Sequence, residues 1–204
     1  PYLSRGLGDV YKRQLLTPTR TLEVSASNLH CLSFSTSGKH LAVGGGYPSQ
    51  EGRVEIYSWP QRELIATFAD HDDSVRSVAW PDDSRLLTAS IDREIRLWDV
   101  EKKITLFTYK GHSRSVNSIC MLNDGKTLVS AGVDQSLRVW NLEPAKLIRS
   151  LNQHTSSVHA VALRPAGDGM PMVASAAGDR TIRFWQPTIG RMVRYVRLEA
   201  EPLN

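Results

Sequence analysis

The chain has 204 residues, of which 41% are hydrophobic and 23% are charged, which is the composition of a globular protein of about one domain. Its net charge of +4 is small and dispersed along the sequence, so nucleic acid is an unlikely partner. Cys31 and Cys120 are too few and too far apart for a disulfide scaffold or a CxxC metal site. No apolar run approaches the roughly 18 residues of a membrane-spanning segment, so membrane insertion is not expected.

The N-terminal segment differs from the rest of the chain. Residues 4–14, SRGLGDVYKRQ, resemble an in-frame translation of a transposon-type sequencing adapter, so residues 1–14 are expected not to belong to the native protein. In that case a signal peptide or an upstream domain would be missing from the printed sequence. The cellular compartment therefore stays open at this stage, with a cytoplasmic location favoured.

Downstream of this segment the chain repeats itself with a period of 41 to 45 residues. The repeats are anchored by four aromatic residues, Tyr57, Trp98, Trp140 and Trp185. An aspartate precedes each tryptophan by six positions, a serine or threonine lies four positions before that aspartate, and a histidine follows each of the first three anchors by fourteen positions. The three complete sets are His71, Thr88, Asp92 and Trp98; His112, Ser130, Asp134 and Trp140; and His154, Ser175, Asp179 and Trp185.

Each repeat predicts four short strands in the same order. The first strand has alternating apolar residues, in LHCLSF, VRSVAW, VNSICM and VHAVAL, and a cluster of turn residues follows it. The second strand (LAVG, LLTAS, LVSA or MVASA) leads to a third strand that ends at the anchor, and the fourth strand is ELIATF, ITLFTY, KLIRSL or MVRYVRL. Because helical periodicity extends over no convincing length, the pattern predicts an all-β protein.

Together these motifs resemble the WD-repeat (WD40) family, over residues 19–198. Gly111-His112 matches the Gly-His pair of the family, and Trp98-Asp99 matches its Trp-Asp pair. The resemblance implies a β-propeller in which four four-stranded antiparallel blades form an incomplete, open arc. In this family the histidine, hydroxyl, aspartate and tryptophan are linked by hydrogen bonds inside each blade. The three sets above are therefore expected to be structural tetrads, with Tyr57 at the tryptophan position of the first blade.

The resemblance also divides the chain into blades. The expected boundaries are 25–68 for blade 1, 69–109 for blade 2, 110–151 for blade 3 and 152–198 for blade 4, with 15–24 as the last strand of a missing preceding blade and 199–204 as the start of a missing next repeat. Blade 1 is degenerate, because Ser25 stands where the histidine is expected and residues 47–51 are inserted before its third strand. An open arc leaves apolar blade faces in water, so we expect an aggregation-prone or partly unfolded chain whose partners include the remaining blades of its own full-length protein.

The recurring hydroxyl, histidine and aspartate would also suit a nucleophilic triad. An enzyme needs one triad, however, and here the set occurs three times at matching offsets, which favours a structural role. The sequence shows no phosphate-binding loop, no GxSxG motif and no kinase signature, and its six histidines form no ligand cluster with carboxylates. We therefore predict no catalytic residues, no metal site and no cofactor.

A further pattern places arginines two positions before the tryptophans, at Arg96, Arg138 and Arg183. A ring of arginines could bind anions or nucleic acid, but the alternation along the strand favours side chains that pair with nearby carboxylates. We expect the partners to be residues such as Asp99 or Glu101.

In a propeller the loops before the first strands and between the second and third strands lie at one end, where recognition concentrates. The candidate partner-binding residues, chosen by repeat position, are Asp72, Asp73, Arg76, Arg93, Ser113, Arg114, Asn117, Gln135, Thr155, His159 and Arg180. Their mixed charge favours a protein or peptide partner over a ligand of a single sign. The leading hypothesis is a non-catalytic WD-repeat scaffold for protein–protein interactions. The alternative is the propeller portion of a larger bacterial multidomain enzyme or cytochrome-like protein whose catalytic domain is missing from this sequence.

Overall fold

The strands assemble into four separate antiparallel sheets. The computed structural model describes residues 21–25, 28–165 and 169–199, and the sixteen regular elements in these ranges are all strands. Sheet 1 contains β1 (Leu29–Phe34), β2 (His40–Tyr47), β3 (Glu51–Ser58) and β4 (Leu64–His71). Sheet 2 contains β5 (Val75–Ala79), β6 (Arg85–Ser90), β7 (Ile95–Asp99) and β8 (Ile104–Tyr109). Sheet 3 contains β9 (Val116–Met121), β10 (Thr127–Gly132), β11 (Leu137–Asn141) and β12 (Lys146–Leu151), and sheet 4 contains β13 (Val158–Leu163), β14 (Val173–Ala177), β15 (Thr181–Gln186) and β16 (Arg191–Arg197). Within each sheet the strands lie in chain order. The predicted all-β fold of four four-stranded antiparallel blades is confirmed.

The terminal expectations fall largely outside this part of the chain. The segments 1–14, 15–20 and 200–204 lie outside the described residues. Residues 21–24 carry no assigned strand, but Leu22 and Val24 pack against Tyr57 and its neighbours on the outer face of sheet 1.

In sheets 2 and 3 the turns that join the first and second strands are closed by side chains at the positions predicted to be turns. In sheet 3 the Asp124 carboxylate accepts the backbone N–H groups of Lys126 and Thr127, both at 2.8 Å, and Gly125 adopts a positive φ of 63°. Asp82 closes the turn of sheet 2 in the same way. Because antiparallel strands alternate in direction, the connections after the second and fourth strands lie at the other end of each sheet.

We call that other end of sheets 2 to 4 the rim. It consists of residues 71–76, 90–95, 110–117, 132–137, 152–159 and 177–181.

The apolar cores lie between successive sheets. Ile56 and Phe68 of sheet 1 pack against Val75, Leu86 and Trp98 of sheet 2, and corresponding clusters fill the spaces between sheets 2 and 3 and between sheets 3 and 4. The inner strands β1, β5, β9 and β13 neighbour one another in that order. Sheets 1 and 4 therefore stand at the two ends of an open arc, and each blade relies on its neighbours for its core.

A β-bulge interrupts the first strand of every sheet near its start. The extra, unpaired residues are His30, Arg76, Asn117 and His159. Bulges of this kind re-aim a side chain and end regular pairing. Each sheet thus places one polar side chain at the same point of its inner strand, close to the connections that precede it.

Candidate functional site

A buried chain of hydrogen bonds lies beneath the rim of sheet 3. His112 Nδ1 donates to Asp134 Oδ2 over 2.9 Å, because an ionised carboxylate can only accept. His112 Nε2 then accepts from the Ser130 hydroxyl at 2.7 Å, and Ser130 Oγ accepts from Trp140 Nε1 at 2.8 Å. Asp134 also accepts the backbone N–H of Ser113 at 3.1 Å. The four side chains join the loop between two sheets to the turn and the third strand of the next sheet.

The same geometry recurs in sheets 2 and 4. The distances from histidine to aspartate, from histidine to hydroxyl and from indole to hydroxyl are 2.6, 2.7 and 2.9 Å for His71, Asp92, Thr88 and Trp98. They are 2.9, 2.7 and 2.8 Å for His154, Asp179, Ser175 and Trp185. All three sets predicted from the repeat are thus brought together, each inside its own sheet.

The tetrads cannot act as nucleophilic triads. Ser130 is fully buried, and its oxygen already bonds to both His112 and Trp140. Thr88 is also fully buried and Ser175 is buried to 1% exposure, with the same pair of partners in each case. A nucleophile must reach a substrate carbonyl, which these hydroxyls cannot do. Satisfied buried polar groups of this kind hold a structure together.

The tetrad aspartates are ionised and the histidine of sheet 4 is neutral. Burial opposes ionisation of Asp134, but hydrogen bonds from His112, Ser136 and the backbone N–H of Ser113 outweigh it, so the pKa of Asp134 lies well below its usual range. Burial likewise opposes ionisation of Asp179, and hydrogen bonds from Thr181 and His154 reverse its effect and lower the pKa of that carboxyl. Burial lowers the pKa of His154, although Asp179 opposes the shift.

Acidification is therefore expected to destabilise the protein. The pKa values of Asp134 and Asp179 are lower in the fold than the roughly 3.9 of an unfolded aspartate, so the stability that they contribute is present above about pH 4 and is lost below it. His154 acts in the same direction, since its unfolded form takes up a proton below about pH 6.5 while the buried imidazole resists. The urea concentration at the unfolding midpoint should decrease gradually as the pH falls below about 6.5 and more steeply below about pH 4.

The matched variant for this test is Asp179→Asn. It should unfold more easily than the wild type at neutral pH and should show a shallower decline below about pH 5. A wild-type midpoint that stays constant across the acid range would contradict the assignment of ionised aspartates.

Sheet 1 replaces the tetrad with a different buried network. Tyr57 pairs with Leu41 in the register that Trp98 shares with Leu86 in sheet 2, so it occupies the position of the anchor. Glu55, only 2% exposed, accepts hydrogen bonds from the Tyr57 hydroxyl and from the backbone N–H and hydroxyl of Ser25. The sequence did not single out Glu55 as a network residue. The available sign in the sequence was that Glu55 lies two positions before the anchor Tyr57, where the other repeats have arginine.

The expected partners of the recurring arginines were wrong. Arg138 lies 3.8 Å from Asp134 and Arg183 lies 3.6 Å from Asp179, so both guanidinium groups reach the tetrad carboxylates. Arg96 pairs instead with Glu94 at 3.1 Å. Each of these acidic residues lies at the rim end of the third strand, on the side towards which the arginine extends. The two carboxylates predicted for this role, Asp99 and Glu101, lie at the opposite end of that strand, where Asp99 pairs with Lys102.

The candidate partner-binding residues all lie on the rim. Nine are exposed: Asp72, Arg76, Arg93, Ser113, Arg114, Gln135, Thr155, His159 and Arg180. Asp73 and Asn117 are half-buried and already engaged, because the Asp73 carboxylate accepts N–H groups of Ser49 and Ser74 and the Asn117 amide donates to the Val158 carbonyl at 2.8 Å. A role in binding stays a prediction for all eleven.

His30 is exposed and fills in sheet 1 the bulge that His159 fills in sheet 4. The sequence places both histidines at the second position of a first strand, in LHCLSF and VHAVAL.

The rim turns between second and third strands hold one residue each in the left-handed region. Arg93, Gln135 and Arg180 have φ values of 76°, 67° and 61° at corresponding positions of their turns. This position is occupied by a long polar side chain, either arginine or glutamine, which is exposed to solvent.

The described residues hold no group of three or more histidine, cysteine or acidic side chains that could bind a metal ion. In the same part of the chain, no helix is long and apolar enough to cross a membrane.

Comparison with known proteins identifies the family. The profile of the WD domain, G-beta repeat, matches residues 16–58, 62–99, 103–141 and 145–186. These four matches cover most of the chain, and their spacing follows the four sheets. The chain belongs to the WD-repeat (WD40) family.

Curated relatives share only part of their length with this chain. It is 32% identical over 94 residues to Periodic tryptophan protein 2 of Saccharomyces cerevisiae, a match that covers 46% of this chain and 10% of that protein. It is 35% identical over 79 residues to UBP9-binding protein bun62 of Schizosaccharomyces pombe, covering 36% and 14%. It is 35% identical over 80 residues to Retinoblastoma-binding protein homolog 5 of Caenorhabditis elegans, covering 39% and 17%. The chain therefore spans less than a fifth of each of these relatives.

Proposed function

We propose that this chain is a non-catalytic scaffold that binds a protein or peptide partner through its rim. The observation that carries the proposal is the repeated tetrad, which uses the reactive hydroxyl, imidazole and carboxylate groups for internal hydrogen bonds. Two relatives are named for what they bind, a UBP9-binding protein and a retinoblastoma-binding protein homolog, which supports a binding role for this chain as well.

The rim suits recognition because its side chains stand on a rigid base. The second strands of sheets 2 and 3 below it are almost entirely buried, as in β10, where all six residues from Thr127 to Gly132 are buried. The tetrads fix the loops themselves, since Asp134 and Asp179 each bond to the main chain of the loop that follows the histidine. Exposed side chains on fixed loops lose little conformational freedom when a partner binds.

Blocking the rim without changing its charge should abolish partner capture. Ser113→Tyr combined with Thr155→Tyr adds two bulky neutral side chains at exposed positions of adjacent rim loops. Proteins retained by the immobilised wild-type chain, quantified by mass spectrometry, should decrease at least about tenfold with this variant, as expected when contacts near the centre of an interface are lost.

The matched control places the same side chains at the opposite end. Thr36→Tyr combined with Asn123→Tyr alters two exposed turn residues and should leave capture unchanged. Equal retention by the rim variant and the wild type would refute binding through the rim.

A further inference from the structure

The carboxylates of the rim are almost all engaged inside the protein. The acidic residues in the rim ranges are Asp72, Asp73, Asp92, Glu94, Asp134 and Asp179. Three of them belong to the tetrads, and Asp73 accepts two backbone N–H groups. Glu94 pairs with both Arg96 and Lys110, at 3.1 and 2.8 Å. Among these six rim residues, Asp72 alone has an exposed carboxylate without a hydrogen-bond or ion-pair partner in the described part of the chain.

The arginines of the rim are in the opposite situation. Arg76, Arg93, Arg114 and Arg180 are exposed, and none forms an ion pair with any described residue. They come from four separate connections or strand ends of sheets 2 to 4. The bulge in β5 leaves Arg76 without a paired residue in β6. The surface of the rim therefore carries four free guanidinium groups against one free carboxylate.

We propose that the rim binds a peptide segment rich in acidic side chains. This inference rests on the proposed function and names the chemistry of its partner. Guanidinium groups bind carboxylates with paired, charge-assisted hydrogen bonds, and arginine clusters on rigid loops are a recurring way to recognise acidic motifs. The candidate residues chosen from the sequence include four arginines and two aspartates, and the fold engages one of those aspartates, Asp73, internally.

The same surface is less suited to nucleic acid. The rim ranges contain no phenylalanine, tyrosine or tryptophan, and single-stranded nucleic acid is commonly held by bases stacked on aromatic side chains. Among the turns between second and third strands, Gln135 lies in the turn between those of Arg93 and Arg180, and among the connections between sheets, Thr155 lies in the connection that follows that of Arg114. Separate cations spaced by neutral polar groups match individual acidic side chains better than a continuous phosphate backbone.

The repeats supply neutral replacements that the fold already accepts. Gln135 occupies the position of Arg93 and Arg180 with the same left-handed backbone, so Arg93→Gln and Arg180→Gln keep the turn. Arg76→Asn copies the corresponding bulge residue of sheet 3, and Arg114→Ser copies the corresponding loop residue of sheet 4. The four changes together form the neutralised rim variant. A version with lysine at all four positions keeps the charge, and Lys39→Gln with Lys126→Gln removes two exposed charges from the opposite end.

The test is fluorescence anisotropy with a labelled peptide of about twelve alternating Glu and Ser residues, at about 150 mM salt to screen weak long-range attraction. The wild type should bind it at least about tenfold more tightly than the same peptide with Gln for Glu. The neutralised rim variant should lose about tenfold in affinity, while the opposite-end variant stays within about threefold of the wild type. The lysine version, which keeps the charge but not the paired N–H groups of guanidinium, should bind with an affinity between those of the wild type and the neutralised rim variant. Unchanged melting temperatures should accompany these results.

Two results would overturn the inference. One is equal binding of the acidic peptide by the wild type and the neutralised rim variant. The other is tighter binding of a single-stranded oligonucleotide of equal charge that depends on the same arginines.

The capture experiment separates this inference from the proposed function. If the tyrosine variant of the rim loses its captured proteins while the neutralised rim variant retains them, the scaffold function stands and the acidic-peptide inference fails. If neither variant loses them, the proposed function fails as well.

Discussion

Replacing Trp140 with alanine is expected to lower the free energy of unfolding by about 3 to 5 kcal/mol. The side chain is only 2% exposed and lies in the core between sheets 2 and 3, where its ring meets Tyr109 edge to face at 5.8 Å. It also donates to Ser130, so its removal leaves both a cavity and a buried hydroxyl with one partner fewer. Urea unfolding followed by circular dichroism measures the loss, which is a large fraction of the total stability of a typical domain.

Trp140→Phe separates the two contributions. Phenylalanine keeps most of the apolar ring but cannot donate to Ser130, so a loss of about 1 to 2 kcal/mol is expected from the missing hydrogen bond and the smaller ring. The exposed substitution Lys126→Ala should stay within about 0.5 kcal/mol of the wild type. A Trp140→Ala variant as stable as the wild type would contradict the large stabilising contribution predicted for this tetrad residue and its core contacts.

Much of the fold could be predicted because the repeat carries the same information several times. The offsets that join Ser130, Asp134 and Trp140 reappear in two other copies, and each histidine lies fourteen positions after the preceding anchor, so the pattern does not rest on a chance coincidence in one copy. Alternating apolar residues fix which face of each strand is buried, because a slip of one residue would expose the whole set. The period therefore predicts the sheets and the local polar network together.

The partners of charged side chains could not be predicted in the same way. Arg96 has carboxylates on both sides in the sequence, and the choice of Glu94 over Asp99 depends on which end of the strand the side chain follows. Glu55 pairs with Ser25, thirty residues earlier, in a repeat that has lost its histidine. Likewise the sequence cannot separate free from engaged carboxylates on the rim. These are properties of neighbouring segments in space, and no periodic pattern encodes them.

The end faces of the arc are expected to make the chain self-associate. On the outer face of sheet 1, Leu32 is 69% exposed and Phe34 is 47% exposed, whereas the corresponding residues of sheet 2, Val78 and Trp80, are each 9% exposed beneath sheet 1. At the other end of the arc, Val196 of sheet 4 is 40% exposed. These positions form the interfaces between successive sheets inside the chain, so the outer face of sheet 1 in one copy is suited to the outer face of sheet 4 in another.

Sedimentation velocity over a range of concentrations tests this expectation. The wild type should form dimers or larger species at concentrations of tens of micromolar, and Leu32→Lys combined with Phe34→Lys should shift that association to concentrations at least about tenfold higher. Ile148→Lys is the matched control, because Ile148 is 47% exposed but lies on the outermost strand of sheet 3, away from both end faces. It should associate like the wild type, since removing an exposed apolar side chain matters only where a second copy would cover it. A wild-type chain that stays monomeric at all concentrations and unfolds in one sharp transition would show that the outer faces of sheets 1 and 4 do not drive self-association.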